Sequence, residues 1–363
     1  MKVLFYINIL SGGGAERVLT NVANYFASQG HETVVVNTFE TPNEYPLDKQ
    51  AKHIYLEAEE EKAPNFWVRN YQRIKKLRKV LKQEKPEVAI SFMTEPNFRL
   101  VLASIGLKNK TLTSLRINPE YEDKGIRGRF CLRFPFQCAD GVVFQTEHAH
   151  KYFGKRVERH SRVIVNPVNS LFYGEPYEGE RKNIVTAGRL CAQKNQLMLI
   201  NAFSKIVNET QDNLLIYGEG DYRELLQKRI NELGLNDRVF LMGNEPKLYE
   251  KLKSAKLFVF PSDFEGLPNA LMEAMALGLP AISTDCDGGG ARMLIEHGKN
   301  GYLIPKRDTD ALEKTMREVL ALSNEEREKI GAEARKTAEG FRYETIAKKW
   351  EDYAIELKGN KRA

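Results

Sequence analysis

A chain of 363 residues with 42% hydrophobic and 29% charged content holds enough apolar material for about two domain cores, which excludes a disordered or fibrous chain. Its 55 Lys and Arg against 49 Asp and Glu leave a charge of +6, too small to mark a nucleic-acid binder but compatible with a phosphate-bearing substrate or an anionic lipid surface. Four cysteines with no C-x-x-C pair argue against a disulfide framework or a structural zinc and fit reduced thiols in the cytoplasm.

No apolar run approaches the roughly 20 residues that span a bilayer, so membrane association would be peripheral. The apolar opening has one basic residue and no small-residue cleavage site, so it reads as a first buried strand, Val3 to Ile9, and not as a leader. A helix from Ala15 to Gln29 and a strand from Thr33 to Asn37 follow. Further strands are expected at Val88 to Phe92 and Val142 to Gln145, and the apolar run Thr111 to Leu115 also ends in a loop. After a linker rich in Pro, Gly and polar residues, a second series reads as Asn183 to Ala187, Leu214 to Tyr217, Arg238 to Leu241, Leu257 to Phe260 and Ala281 to Ser283. Alternation of this kind predicts two doubly wound α/β domains, 1–170 and 171–340. The final segment, 341–363, reads as a helix returning to the first domain. Two such domains facing one another would bind ligand at the carboxyl ends of their strands.

In the first domain Gly12-Gly13-Gly14 joins strand to helix, which lets the backbone approach an anion at the helix amino end. A basic helix with interleaved aromatics, Asn65 to Lys82, suits either an anionic membrane surface or a solvated face whose Ile74, Leu77 and Leu81 pack inward. Arg127, Arg129 and Arg133 beside Phe130, Phe134 and Phe136 add to that character. Glu95, Arg116 and Asn118 follow strand ends and are candidates for holding an acceptor or a donor sugar, with ordinary loop chemistry as the alternative.

In the second domain Arg189 and Lys194, five residues apart after Gly188, suit a diphosphate, Arg as a fork of donors and Lys as a point charge. Gly218 and Gly220 give room for a flat ring or a phosphate, and Asn244 follows a strand end where backbone groups can meet a nucleobase. Asp285-Cys286-Asp287 has the spacing of a D-x-D metal motif but is read as no metal site, because two cations already serve the diphosphate. The most informative stretch is Glu265 to Glu273, EGLPNALME. A helix begins near Pro268, buried nearly all round, and stops at Gly278. Its rise separates Glu265 from Glu273 by roughly 8 to 12 Å, a span for a ligand with hydroxyls at both ends and a charged middle.

Gly12 to Arg17, Gly188-Arg189 with Lys194-Asn195, Gly218-Glu219-Gly220, Glu265 to Asn269 with Glu273, and Gly298 through Gly301 together resemble the family-4 retaining glycosyltransferases of the GT-B fold, over nearly the whole chain. The resemblance implies a nucleotide-diphosphate sugar as donor substrate, with no cofactor and no required metal, and the nucleotide is read here as UDP. It implies diphosphate binding by Arg189 and Lys194, sugar contacts from Glu265, Gly266, Leu267 and Asn269, ribose contacts from Glu273, and approach of Gly13 and Gly14 to the phosphates or the reacting centre. One departure stands out: where many members carry a His near the donor sugar, the nearest counterpart is Arg116. The reading that follows is a cytoplasmic enzyme, peripheral on the inner membrane face, which extends a polyprenyl-diphosphate-linked glycan in bacterial surface polysaccharide synthesis. A small water-soluble acceptor, or a non-catalytic sugar-nucleotide-binding subunit, are the competing readings.

Overall fold

A computed structural model describes residues 1–60, 65–117, 119–175 and 177–359. The chain divides into two compact units, Met1–Pro167 with Tyr343–Ala363, and Val168–Arg342.

Among the described residues the first unit contains the parallel strands β1 (Lys2–Ile7), β2 (Glu32–Asn37), β3 (Lys52–Tyr55), β4 (Val88–Phe92), β5 (Lys110–Ser114), β6 (Gly141–Phe144) and β7 (Ser161–Val163). They lie in the order β3-β2-β1-β4-β5-β6-β7, with Val3 opposite Val88 and Leu112 opposite Gly141 in register. β1 and β4 are almost wholly buried because helices cover both sheet faces, which is why both read as continuous apolar runs. The order reverses between β1 and β4. Loops leaving those two strands therefore diverge and open a crevice at their carboxyl ends.

The last described helix, Tyr343–Gly359, belongs to this unit. Its Trp350 is fully buried in the cluster of Val3, Phe5, Phe26 and Phe92. Tyr353 donates its hydroxyl to the His160 carbonyl at 2.7 Å, and Tyr343 to the Asn21 carbonyl at 2.5 Å.

The second unit holds β8 (Ile184–Ala187), β9 (Leu214–Tyr217), β10 (Val239–Gly243), β11 (Leu257–Phe260), β12 (Ala281–Asp285) and β13 (Tyr302–Pro305), all parallel, in the order β10-β9-β8-β11-β12-β13. Here the reversal falls between β8 and β11. The core joins Ile184, Leu214, Leu257 and Ile282 of the sheet to Met198, Phe203, Leu312 and Met316 of its helices.

Three strands escape the sequence pattern, β3, β7 and β13. Each has only three or four residues and lies at a sheet edge, where half-exposed sequences such as KHIY and SRV lack an apolar run. β13 ends in Pro305, a residue tolerated at an edge because no neighbour needs its missing N–H.

Candidate functional site

The crevice rule singles out two loops of the second unit, Gly188–Asn195 after β8 and Pro261–Pro268 after β11. They meet. Lys194 Nζ donates to Glu265 Oε1 at 2.6 Å, and Gln193 Nε2 donates to the same oxygen at 3.2 Å and to the Phe264 carbonyl at 2.9 Å. Asp263 N–H donates to the Gln193 carbonyl at 2.8 Å, and Asn195 Nδ2 to Asp263 Oδ1 at 3.0 Å. Lys194 also lies 4.8 Å from the Phe260 ring centre. A short 3-10 turn over Ala192–Lys194 presents these side chains, and Asn195, in a left-handed conformation, caps the helix Gln196–Ile206 with its side chain.

Arg189 is exposed on the same loop, and its carbonyl accepts from Gln196 Nε2 at 3.0 Å. Glu265 is buried beside the helix Asn269–Ala276, which Pro268 precedes. Asn269 opens that helix. Glu273 lies one turn on, also buried.

Three strand-end glycines pack backbone against backbone. A Cβ on Gly218 would sit 2.1 Å from the Gly188 carbonyl oxygen, and one on Gly220 2.3 Å from that of Leu190. Gly218 N–H donates to Gly243 O at 2.8 Å, which places exposed Asn244 directly beyond this junction.

In the Asp285-to-Gly290 loop both acids of the D-x-D spacing are ion-paired. Asp285 takes the Arg292 guanidinium as a fork, with Nη2 at 2.7 Å, and Asp287 takes Lys306 Nζ at 2.6 Å. The glycines after them form a shelf under the EGLP segment: a Cβ on Gly288 would fall 1.9 Å from the Glu265 carbonyl oxygen, and one on Gly290 2.0 Å from that of Gly266. Glu265 N–H donates to the Asp287 carbonyl at 3.0 Å. Beside the shelf, burial pushes the Cys286 thiol up to about 12, with the Glu265 charge adding to it. Among the described residues no group of three or more His, Cys, Asp or Glu side chains is placed to hold a metal ion.

In the first unit Gly13 stands just ahead of the helix Gly14–Ser28, and its carbonyl accepts from Arg17 N–H at 3.2 Å. The Glu16 carboxylate folds back over it, and burial raises its pKa. Glu95 pairs with the fully buried Arg99, which also donates to Asn8 and Asn70 side chains at 2.5 Å. Arg116 lies beyond the end of β5. Its Nη2 donates to Asn166 Oδ1, its guanidinium lies 4.7 Å from the Phe92 ring centre, and burial pushes its pKa down to about 9. Asn118 lies outside the described residues.

The basic helix spans Phe66–Glu84, and its charges divide. Arg73 turns inward to Glu57 at 2.9 Å, and Arg78 donates to the Ala103 and Ile105 carbonyls at 2.7 Å. Lys75, Lys79 and Lys82 stay exposed. Trp67 and Tyr71 on this helix are 52% and 63% exposed, and Ile126 and Phe130 at the start of the helix Gly125–Cys138 are 92% and 48% exposed. Phe98 links Trp67 to Phe130 with ring centres 6.5 and 5.8 Å away, and Arg127 covers Phe66. No described helix is long and apolar enough to cross a membrane.

Sequence reasoning missed Gln193, Asp263 and the Gly288–Gly290 shelf. None has a motif of its own. Their significance depends on a partner loop about seventy or twenty residues away in the chain.

Residues 12–170 match the family model described as Glycosyltransferase Family 4, and residues 174–337 match that described as Glycosyl transferases group 1. A Campylobacter jejuni protein named GalNAc-alpha-(1->4)-GalNAc-alpha-(1->3)-diNAcBac-PP-undecaprenol alpha-1,4-N-acetyl-D-galactosaminyltransferase is 29% identical over 367 residues, covering 99% of each chain. Among solved structures, sucrose-phosphate synthase from Thermosynechococcus elongatus superposes with a TM-score of 0.84 at 18% identity over 99% of both chains. Anabaena Alr3699/HepE, solved in complex with UDP, superposes with a TM-score of 0.81 at 18% identity over 98% of this chain and 100% of that one.

Proposed function

Because the chain belongs to the glycosyltransferases of family 4 and group 1, built on the two parallel-sheet domains of the GT-B fold, we propose the following reaction. A hexose or N-acetylhexosamine moves from a UDP-sugar to a lipid-linked oligosaccharide, with retention at the anomeric carbon, in bacterial surface polysaccharide synthesis. The observation that supports it most directly is the meeting of Lys194 and Glu265 at the second unit's switch point. The lipid-linked acceptor is suggested by the name of the Campylobacter relative, which matches along its full length, and the UDP donor by the ligand in the Anabaena structure.

In this reading the donor diphosphate takes the exposed Arg189 fork and Lys194, and Glu265, released from Lys194, turns to the sugar hydroxyls. Glu273 accepts from the ribose. The acceptor hydroxyl attacks on the face that the diphosphate leaves. As the bond from sugar C1 to the phosphate oxygen breaks, that oxygen takes the acceptor's proton, and the new glycosidic bond forms at C1. Cations near the leaving oxygen stabilise its growing charge most in the transition state, where they lower the barrier. Chain cations do this work with no metal ion in the scheme. The exposed patch of Trp67, Tyr71, Ile126 and Phe130, flanked by Lys75, Arg127 and Arg129, would rest on the inner membrane face beside the acceptor.

The test is UDP release from a panel of UDP-sugars supplied with membrane-extracted acceptors, followed by proton NMR of the product's anomeric coupling. Absence of release across the panel, or an inverted anomer, would remove the reading. Activity undiminished by EDTA is expected.

A further inference from the structure

Arg73 and Arg99, two buried arginines of the first unit, each face a carboxylate, Glu57 and Glu95. Arg116 does not. Its guanidinium has five N–H donors, and the acceptors it meets are neutral: Asn166 Oδ1 for Nη2, and Ser114 Oγ for Nη1 at a long 3.5 Å. The buried Nε has no partner. The rings of Phe92 and Trp350, 4.7 and 6.0 Å from the guanidinium carbon, favour a cation but bear no charge. A half-buried cation among neutral groups, its Nε wholly out of water, is disfavoured until an anion completes it.

Its location is informative. β5 adjoins β4 in the sheet, one strand from the switch point, so Arg116 stands at the end of the sheet where ligands of doubly wound domains bind. Asn166 also accepts from Gln145 Nε2 at 2.7 Å, so the group that positions Arg116 is itself held by the loop after β6.

We propose that Arg116 binds a substrate oxyanion in the first unit: the carboxylate of a transferred hexuronate, which would narrow the hexose of the proposed reaction to its uronate, or a phosphate of the acceptor's diphosphate linkage. The assignment rests on the glycosyl-transfer reading only for the identity of the substrate. The site itself follows from the unmatched cation.

The experiment compares full-length wild type, Arg116→Met and Arg116→Lys. Each is titrated at fixed ionic strength with sodium phosphate and with sodium glucuronate, followed by calorimetry and thermal shift. At least one anion is expected to bind wild type, with affinity at least tenfold lower in Arg116→Met and intermediate in Arg116→Lys. Without ligand, Arg116→Met should melt at or above the wild-type temperature, because a half-buried, uncompensated charge has been removed. Preference for glucuronate points to the donor sugar. KM for UDP-glucuronate should then rise at least tenfold in Arg116→Met, while that for UDP-glucose changes less than twofold. Preference for phosphate points to the acceptor, and KM for a diphosphate-linked glycan should rise while that for the same glycan on an uncharged aglycone does not.

If neither anion binds wild type, or if both variants bind as wild type does, the proposal is overturned. Arg116→Met melting several degrees lower, with equal loss on charged and uncharged substrates, overturns it as well and marks a structural arginine. Wild type that binds an anion but transfers no sugar leaves the anion site standing and removes the transfer reading instead.

Discussion

Lys194 Nζ donates to Glu265 Oε1 across 2.6 Å, so the cation proposed for the donor diphosphate and the carboxylate proposed for its sugar neutralise each other. The pair is a fifth exposed at the lysine and a tenth at the glutamate. Binding of a diphosphate would exchange partners, with Lys194 moving to phosphate and Glu265 freed for hydroxyls. Glu265→Gln keeps the shape and removes the charge. We expect turnover to fall about a hundred- to a thousandfold and stability to drop by about 1–2 kcal/mol, read from single-turnover rates and urea melts. Full activity in Glu265→Gln would contradict the sugar-side role.

Glu273 should behave differently. It is buried on the helix Asn269–Ala276, and its proposed role is to anchor the ribose hydroxyls, away from the reacting carbon. Glu273→Gln is expected to weaken UDP binding about ten- to a hundredfold, the worth of one or two charge-assisted hydrogen bonds, with a smaller effect on the single-turnover rate. Isothermal calorimetry with UDP measures the first quantity. Unchanged UDP affinity with slowed chemistry would reverse the assignments of the two acids.

The glycine shelf can be probed with adjacent alanines. Gly288→Ala would thrust a methyl to 1.9 Å from the Glu265 carbonyl oxygen at a φ of +95°, whereas Gly289→Ala, at +69°, meets nothing within 4 Å. The second should cost about 1–2 kcal/mol for its left-handed backbone. The first adds overpacking of about 1–3 kcal/mol and displaces Glu265. Equal melting temperatures for the two variants would show that the shelf does not hold the EGLP segment.

Asp123 gives the first unit an acid-sensitive tie. The Arg133 guanidinium, with help from the Tyr152 hydroxyl at 2.9 Å and Arg129, holds its carboxyl below the ordinary value of 3.8. A depressed pKa means that the folded state releases the proton more readily, so the stabilisation is complete above 3.8 and fades as pH falls through the folded value. Urea melts should therefore show wild type more stable than Asp123→Asn at pH 6, with the gap narrowing by pH 3. A gap that widens on acidification would refute the tie.

Membrane contact is testable without substrate. Trp67→Ser with Ile126→Ser removes two exposed apolar side chains, each worth about 1.5–3 kcal/mol when fully buried. Sedimentation with vesicles containing anionic phosphatidylglycerol should fall at least tenfold, while far-ultraviolet circular dichroism stays unchanged. Retained binding to anionic vesicles would remove the patch as the contact surface.

What the sequence made legible follows the physics of burial. β4, β9 and β11 are short apolar runs with nothing exposed to blur them, and the expected bounds match residue for residue. β3, β7 and β13 face solvent along an edge and lost that signal. In the site, Lys194 and Glu265 were each legible as candidates because they follow strand ends, but their bond was not: it joins residues 71 positions apart. Gln193 lacks even a charge to draw attention. The basic helix was half legible. Its composition announced cations, while only packing could show that Arg73 and Arg78 are committed to the interior.

Trp350 has a consequence for biosynthesis. The first unit's core is built around a residue that leaves the ribosome after all of Val168–Arg342. At about 5–20 residues per second, the sheet that begins at Lys2 waits on the order of ten to forty seconds with a vacancy where that indole belongs. The second unit is continuous in sequence and has no such wait. The nascent chain should therefore complete its later unit first, and its amino-terminal unit should be the one that chaperones shelter.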